Sequence, residues 1–303
     1  MIFGLIRDKC CSIEVIMARR SYRQELLYIE EQTKEICLEI LKKNGLELEH
    51  VKVKTGKLCL TAVKQNGMAL RFVGKQTPKN CLAAVKQNGC ALELITDQTE
   101  EICLAAVSQY GMVLQYVKNV TREIQMAAVK SSGSALQYID VQDDELCLAA
   151  VNQNGRAIRF VKSQKEHICM AAVIQEPYAL LEIKKRSEEV CIAAVKGAGH
   201  VLQFVKDKTD KICLAAVREN GEALNYVIDK TEKICLAAVS QNGYALKWAP
   251  NPSYKVCLTA VANDRFGWEE MDLVTRLEFI KDMQMRLKVK EAVTSVLPTF
   301  IRD

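Results

Sequence analysis

The residues of this sequence with the greatest capacity for chemistry are its 13 cysteines. Thiols form disulfides, ligate zinc and act as nucleophiles. Equivalent positions of stacked repeats lie about 8–10 Å apart, farther than the roughly 7 Å that a disulfide allows between Cα atoms. Four zinc ligands must also converge on one ion. The spacing therefore predicts small buried hydrophobic residues. Ten cysteines recur at intervals of 22 residues, or of twice 22 across Gln125: Cys37, Cys59, Cys81, Cys103, Cys147, Cys169, Cys191, Cys213, Cys235 and Cys257.

The other residues that could carry a reaction are scattered. The three histidines, His50, His167 and His200, occupy different positions of the repeat, so the period brings no two of them together. The sequence lacks a Walker-type phosphate loop, a dinucleotide-binding glycine motif, a zinc-protease helix motif and a nucleophile elbow. Acids near the predicted helix starts suit the helix dipole without catalysis. We therefore expect no catalytic, cofactor or metal site, and a protein that is not an enzyme.

Each repeat also contains constant residues at fixed distances from the cysteine. Alanine and valine follow three and four residues later, as in Ala216 and Val217, and glycine follows eight residues later, as in Gly221. A threonine, serine or aspartate precedes the cysteine in most repeats and suits a helix N-cap. This pattern predicts a first helix of about ten residues, buried on nearly all sides, and a second of about seven. The Asn-Gly pair between them is a helix stop signal, of the kind in which glycine ends a helix.

Two β-containing alternatives fit part of this pattern. Asn-Gly between apolar segments is also a hairpin signal, and a period near 22 with Leu and Asn is shared by leucine-rich repeats. However, the segments show no alternation of apolar and polar residues, and they are rich in Ala, Leu, Lys, Glu and Gln. The sequence therefore predicts an all-α fold, an α-solenoid of stacked helix-turn-helix repeats with terminal capping helices.

The ends of the chain depart from the pattern. We expect residues 1–36 to form an N-terminal cap with a degenerate repeat, residues 37–262 the tandem repeats, and residues 263–303 C-terminal capping helices. The C-terminal segment could instead bind a partner. Inside the array Pro177 replaces the turn glycine. A proline changes the geometry of a turn, so we expect a local change of curvature near Gln175–Tyr178, with neutral variation as the alternative.

Composition and charge restrict the setting. The 303 residues carry a net charge of +5, which is too small to imply nucleic acid or an anionic membrane as the partner. The first apolar run ends at Arg7 and is too short for a signal peptide or a membrane span. We therefore expect a monomeric cytoplasmic protein that does not insert into membranes.

Two variable positions of the repeat could form a binding surface. Five residues after the cysteine position, six of the side chains are basic and none is acidic. These six could contact an acidic partner, although cations near a helix C-terminus also suit the dipole. The first position after the turn varies widely and becomes aromatic toward the C-terminal half, where such residues could anchor a partner. The candidates are Lys42, Lys64, Lys86, Lys130, Lys196 and Arg218 at the first position, and Tyr178, His200, Tyr244 and Phe266 at the second.

The repeated phrases ICLAAVRENGEALNYV (residues 212–227) and ICLAAVSQNGYAL (residues 234–246) resemble a family of tandem repeats. That family occurs in effector proteins of intracellular bacterial pathogens and in giant viruses, and the resemblance spans roughly residues 15–262. The family has no general assigned activity, so the resemblance assigns no functional residue. It implies a protein that acts in the cytosol of a host cell by binding or restraining another protein.

Three functions remain open at this point. The sequence favours a non-enzymatic protein-binding scaffold, which could regulate a partner enzyme. The alternative is a helical repeat protein that binds single-stranded nucleic acid with one unit per base and lysines on the phosphates. The modest net charge and the lack of a regular exposed aromatic position weigh against nucleic acid. An enzyme would need a site that no motif reveals.

Overall fold

The computed structural model describes residues 26–263 and Lys281, and each repeat from Lys34 to Trp248 contains two helices. After a 3₁₀ turn at Leu26–Tyr28, ten-residue α-helices alternate with six-residue 3₁₀ helices, labelled η. The α-helices are α1 Lys34–Lys43, α2 Gly56–Gln65, α3 Pro78–Gln87, α4 Glu100–Gln109, α5 Arg122–Ser131, α6 Asp144–Gln153, α7 Glu166–Gln175, α8 Glu188–Gly197, α9 Asp210–Glu219, α10 Glu232–Gln241 and α11 Tyr254–Asn263. The 3₁₀ helices are η1 Gly45–His50, η2 Gly67–Phe72, η3 Gly89–Leu94, η4 Gly111–Tyr116, η5 Gly133–Tyr138, η6 Gly155–Phe160, η7 Pro177–Glu182, η8 Gly199–Phe204, η9 Gly221–Tyr226 and η10 Gly243–Trp248.

The repeats form two compact units, one ending at Ser163 and the other beginning at Gln164. In each unit successive α-helices pack side by side, and each 3₁₀ helix packs on the next α-helix of that unit. The predicted all-α solenoid is thus confirmed, and the described residues contain no strand. The predicted C-terminal capping helices, Phe266 and the first 25 residues lie outside the described range.

Polar caps determine where the helices begin and end. In α2 the Thr55 hydroxyl accepts a bond from the Leu58 N–H, which would otherwise lack an intrahelical partner. Asn66 ends this helix, and its side-chain oxygen accepts a 3.0 Å bond from the Met68 N–H, which starts η2. The predicted threonine, serine and aspartate N-caps are confirmed in the described repeats. Lys165 at the start of α7 makes no side-chain cap.

The second helix is shorter and tighter than the sequence predicted. It has six residues and closes i to i+3 bonds, such as the 3.0 Å bond from the Val73 N–H to the Leu70 carbonyl. A segment this short gains little from the cooperativity of an α-helix, and 3₁₀ geometry is common in short pieces. Its larger rise per residue still directs Ala69 and Leu70 into the core, where both are fully buried.

The first helix ends at the predicted Asn-Gly pair, but the glycine there is not a left-handed cap. Asn66 ends α2 in an extended conformation, and no glycine in the described residues has positive φ. Gly67 instead lies against the neighbouring repeat, where an added Cβ would be 2.5 Å from the carbonyl oxygen of Ala84. Glycine is required here because two backbones approach each other closely.

The first helix is also less buried than the sequence predicted. Its core side contains the isoleucine, cysteine, alanine and valine of each repeat, as in Ile212, Cys213, Ala216 and Val217, which are at most 2% exposed. The two residues directly after the cysteine, however, are only partly buried in the cysteine-containing repeats from α2 to α10. The small cysteine and alanine let the helices pack closely on one side and leave this second side open.

Two sets of side-chain hydrogen bonds join successive repeats. In the first set, the Gln65 side chain accepts a 2.6 Å bond from the Gly45 N–H and donates a 3.0 Å bond to the Lys43 carbonyl. In the second set, Gln142 donates a 3.0 Å bond to the Phe160 carbonyl and accepts a 2.9 Å bond from the Lys162 N–H. Each glutamine thus satisfies backbone groups that lie about one repeat away in the sequence. Such bonds fix the register between neighbouring repeats.

The repeat with Pro177 has the same helix bounds as the others, and Glu176 before it has the usual extended dihedral angles. What changes is its contact with the following repeat. Proline has no N–H to donate, and the position that holds the accepting glutamine elsewhere is Gly197. A Cβ added at Gly197 would lie 2.6 Å from Cγ of Pro177. The two substitutions therefore compensate each other; the predicted change of curvature is not visible in the local backbone and stays a prediction.

Candidate binding surface

The basic side chains of the first candidate position lie where the sequence placed them. Lys42, Lys64, Lys86, Lys130, Lys196 and Arg218 are all exposed and belong to the last turn of their α-helices. This position suits the helix dipole whether or not a partner binds. Their role in binding therefore stays a prediction, and a functional role needs an observation that the dipole does not explain.

These basic residues border an apolar strip that the sequence analysis missed. On α2, Lys57, Leu60, Thr61 and Lys64 are spaced three, four and seven residues apart and thus share one helix face. Leu60 and Thr61 are half-buried, whereas Lys57 and Lys64 are exposed. The same spacing in the next repeat places Leu82 and Ala83 on the corresponding face of α3. The signal was present in the sequence, because the leucine that follows most of these cysteines lies on the lysine side of the helix.

A shallow cleft of about 430 Å³ lies between α2 and α3 on this face. Apolar side chains form its floor, and lysines stand at its sides. Its lining is Leu60, Lys64, Lys79, Leu82, Ala83, Lys86 and Gln87. Within the described part of the chain, none of these lysine side chains forms an ion pair. The cleft therefore combines an apolar floor with unpaired positive charge.

Lys79, which lines this cleft, and Lys57, at the equivalent position of α2, occupy positions that the helix dipole disfavours. Lys57 and Lys79 belong to the first turns of α2 and α3, which contain no acidic residue. The first turns of α1, α4, α5 and α6 in the same unit all contain at least one acid. A cation at a helix N-terminus is destabilising, by about 0.3–1 kcal/mol at exposed sites. Lysine also stands at this position in α9, α10 and α11, and α11 likewise has no first-turn acid; among the described helices, α2 and α3 are the successive pair with a lysine at both this position and the last turn.

The aromatic candidates of the second position pack against neighbouring repeats. The Tyr178 ring meets Phe204 edge to face at 6.3 Å, and the His200 ring meets Tyr226 in the same way at 6.2 Å. His200 Nε2 is also 2.9 Å from the side-chain nitrogen of Asn220. These contacts give Tyr178 and His200 a structural role between repeats. Their role in binding a partner stays a prediction.

Tyr244 lies in a different environment. The Lys247 ammonium is 3.6 Å from the centre of the Tyr244 ring and 4.8 Å from that of Trp248. This arrangement is a cation–π contact between residues of one 3₁₀ helix. Phe266, the fourth candidate of this position, lies outside the described residues.

The cysteines of the repeat position are buried, as the spacing predicted. All ten cysteines of the repeat position are buried and unbridged. Burial raises the pKa of eight of them above the ordinary value of 9.0, Cys37, Cys59, Cys81, Cys103, Cys169, Cys191, Cys213 and Cys235. The described residues contain no cluster of three or more His, Cys, Asp or Glu that could hold a metal ion. Among the same residues, no helix has the length and apolar character needed to cross a membrane.

Comparison with known proteins gives one kind of match. Residues 57–99, 81–120, 121–164 and 209–255 each match the model of a domain of unknown function, DUF4116. Each matched segment is about two 22-residue periods long, and together the segments cover just over half of the chain. No curated protein and no solved structure matches the chain.

Proposed function

We propose, from the premise that this chain belongs to the DUF4116 family of tandem repeats, that it is a non-enzymatic scaffold that binds another protein. One observation carries the proposal: the α-helices keep a nearly constant core side and present, on the other side, a largely half-buried apolar strip with variable charges. Apolar surface that the fold leaves open in a stack of rigid repeats is suited to protein recognition.

The setting that we propose follows from the resemblance of the repeats. The protein would act in the cytoplasm, as an effector made by or delivered from an intracellular parasite, and would regulate the enzyme or other protein that it binds. We propose further that the scaffold is a monomer. Light scattering of the purified chain tests this last point, since a stable dimer would cover part of the surface assigned to the partner.

Affinity capture from host-cell lysate tests the binding function. The purified chain is immobilised, and capture is compared with and without nuclease and at low and raised salt. A protein partner should remain bound after nuclease treatment. Loss of capture with nuclease, together with a steep dependence on salt, would instead indicate the nucleic-acid alternative, because phosphate contacts release counterions.

A charge-reversal variant tests whether the captured protein binds at the α2–α3 cleft. The Lys64→Glu, Lys86→Glu double variant changes the lysines at the α2–α3 cleft. The Lys184→Glu, Lys206→Glu variant is the matched control, because it reverses the charge of two exposed loop lysines of the second unit. Capture that both variants reduce equally would show only an effect of total charge and would remove this face from the proposal.

A further inference from the structure

We propose that the cleft between α2 and α3 binds an acidic amphipathic helix of the partner protein. This proposal rests on the protein-binding function above and names the chemistry of the segment that is bound. The apolar floor, Leu60, Leu82 and Ala83, would receive apolar side chains from one face of that helix. The lysines around it would pair with carboxylates on both sides of that face.

The layout of the lysines sets the size of the bound segment. Lys57 and Lys64 on α2 are seven residues apart, as are Lys79 and Lys86 on α3. Seven residues of helix rise about 10 Å. Neighbouring helices pack about 8–10 Å apart. The four charges thus surround an apolar area about one helix wide and two turns long, which matches the helix-in-groove mode of recognition.

The position of two of these lysines supports a functional origin. Lys57 and Lys79 lie in first turns without an acid, where the dipole of their own helix repels them. A lysine in the last turn is explained by helix stability. Among the described helices, α2 and α3 are the neighbouring pair in which both first turns carry lysine and neither carries an acid. A bound carboxylate would offset the unfavourable interaction. The two lysines therefore give an observation independent of the cleft itself.

The charges of neighbouring helices favour a short peptide over a nucleic acid. On the same face, α1 presents Glu39 and α4 presents Glu101, both exposed. A phosphate backbone running along the unit would pass these acids on each side of the lysines. A peptide segment confined to α2 and α3 would not.

Fluorescence anisotropy with labelled probes tests the inference on the full chain. The first probe is a synthetic helical peptide of about 16 residues, with leucines along one face and glutamates on both borders of that face. The second has the same composition with these residues spread around the helix, and the third is a labelled oligothymidylate. We expect binding of the first probe only, weakening as salt rises because the charges are exposed.

Charge reversal at the first turns separates binding from stability. The Lys57→Glu, Lys79→Glu variant should weaken binding of the first probe by about tenfold, since each exposed ion pair contributes up to a few-fold. The same variant should raise the melting temperature by roughly 2 °C, because it places acids at helix N-termini. A lysine with a purely structural role would give the opposite change in stability.

The matched control is the Lys233→Glu, Lys255→Glu variant, which changes the same repeat position on α10 and α11. It should leave probe binding unchanged. A Lys64→Gln, Lys86→Gln variant gives a milder second test should charge reversal disturb folding. Equal binding of the scrambled peptide or of oligothymidylate, no binding of the first probe, or unchanged binding by both cleft variants would overturn the inference. Lysate capture is measured separately. Capture of a protein without binding of the peptide would therefore overturn this inference but not the proposed protein-binding function.

Discussion

At the scale of single residues, the small side chains of this protein are explained by what lies against them in the next repeat. Gly67 faces the Ala84 carbonyl, and Ala62 and Cys59 sit in a core with almost no exposure. The sequence showed that these positions accept only small residues. It could not show why, because the limiting contact lies in another repeat. The sequence alone does not distinguish a glycine required by close backbone packing from a glycine required by a left-handed turn.

Substitution of Gly67 tests this explanation. An added Cβ would meet a backbone oxygen that cannot move alone, so Gly67→Ala should destabilise the protein by about 2 kcal/mol, in the range of overpacked cores. Gly74→Ala is the matched control, because nothing lies within 4 Å of a Cβ at that glycine. Thermal unfolding followed by circular dichroism measures both. Equal melting temperatures for the two variants would contradict the close-approach role.

The cysteines give a prediction for pH. Burial raises the pKa of the folded thiols above the value of 9.0 that applies to an exposed thiol, as for Cys213 and Cys235. The unfolded chain therefore releases these protons at a lower pH than the folded chain does. Stability from this source is complete below pH 9 and is lost as pH rises through the folded pKa values. We expect the melting temperature to fall steeply above pH 9, with thiolate absorbance rising in step with unfolding.

Alkylation under native conditions checks the same burial independently. Among the described cysteines Cys90 is the half-exposed one, and the ten of the repeat position are buried. Iodoacetamide at neutral pH should therefore label Cys90 well before those ten, and denaturant should remove the difference. Peptide mass spectrometry assigns each site. Rapid native labelling of Cys103 or Cys213 would show that the core opens readily.

At the scale of elements, the sequence predicted the ends of the first helix well and the contacts between helices poorly. Thr55 and Thr77 marked helix starts because an N-cap acts locally, on an N–H three residues away. The glutamine bonds escaped prediction because Gln65 and Gly45 are 20 residues apart. The leucine strip escaped because an apolar run such as ICLAAV does not reveal which side remains open. The cleft could therefore be found only once the packing of α2 on α3 was known.

The Pro177–Gly197 pair gives a prediction at this scale. Gly197→Gln alone should place a side chain against the proline ring, and Pro177→Gly alone should leave a glycine N–H without its usual acceptor. Each should lower stability by about 1–2 kcal/mol. The double variant recreates the arrangement of Gly45 and Gln65 and should recover at least about 1 kcal/mol of this loss. Chemical denaturation of the four proteins measures the coupling, and strictly additive losses would refute it.

At the scale of the whole molecule, stability comes from repeated interfaces between thin helices. A single repeat buries little by itself, so each one depends on its neighbours in the stack. The period of 22 is kept from Cys37 to Cys257 because a shift of a few residues would misplace the glycine, the caps and both sets of glutamine bonds together. The regular period made the fold class predictable. The function is less so, because it depends on residues at the open side that the fold does not fix.

Insertion of sequence tests this dependence. A second copy of residues 78–99 placed after Thr99 adds one full period and should be tolerated, with helix content per residue unchanged and no loss of stability. Insertion of residues 78–88 alone adds half a period at the same site. This half-period insertion should break the register between repeats and lower both the helix content per residue and the stability. Circular dichroism and chemical denaturation compare the two proteins, and equal tolerance would show that register is unimportant.

The proline and glycine that face each other across two successive repeats also limit how this array can be rearranged. Recombination between repeats could place Pro177 before a repeat that carries glutamine at the position of Gly197. It could also place Gly197 after a repeat with a turn glycine, whose N–H would then lack a hydrogen-bond acceptor. Either product would contain only one of the two compensating residues. The repeats that contain Pro177 and Gly197 therefore depend on each other, and a rearrangement that keeps the array stable would have to move both together.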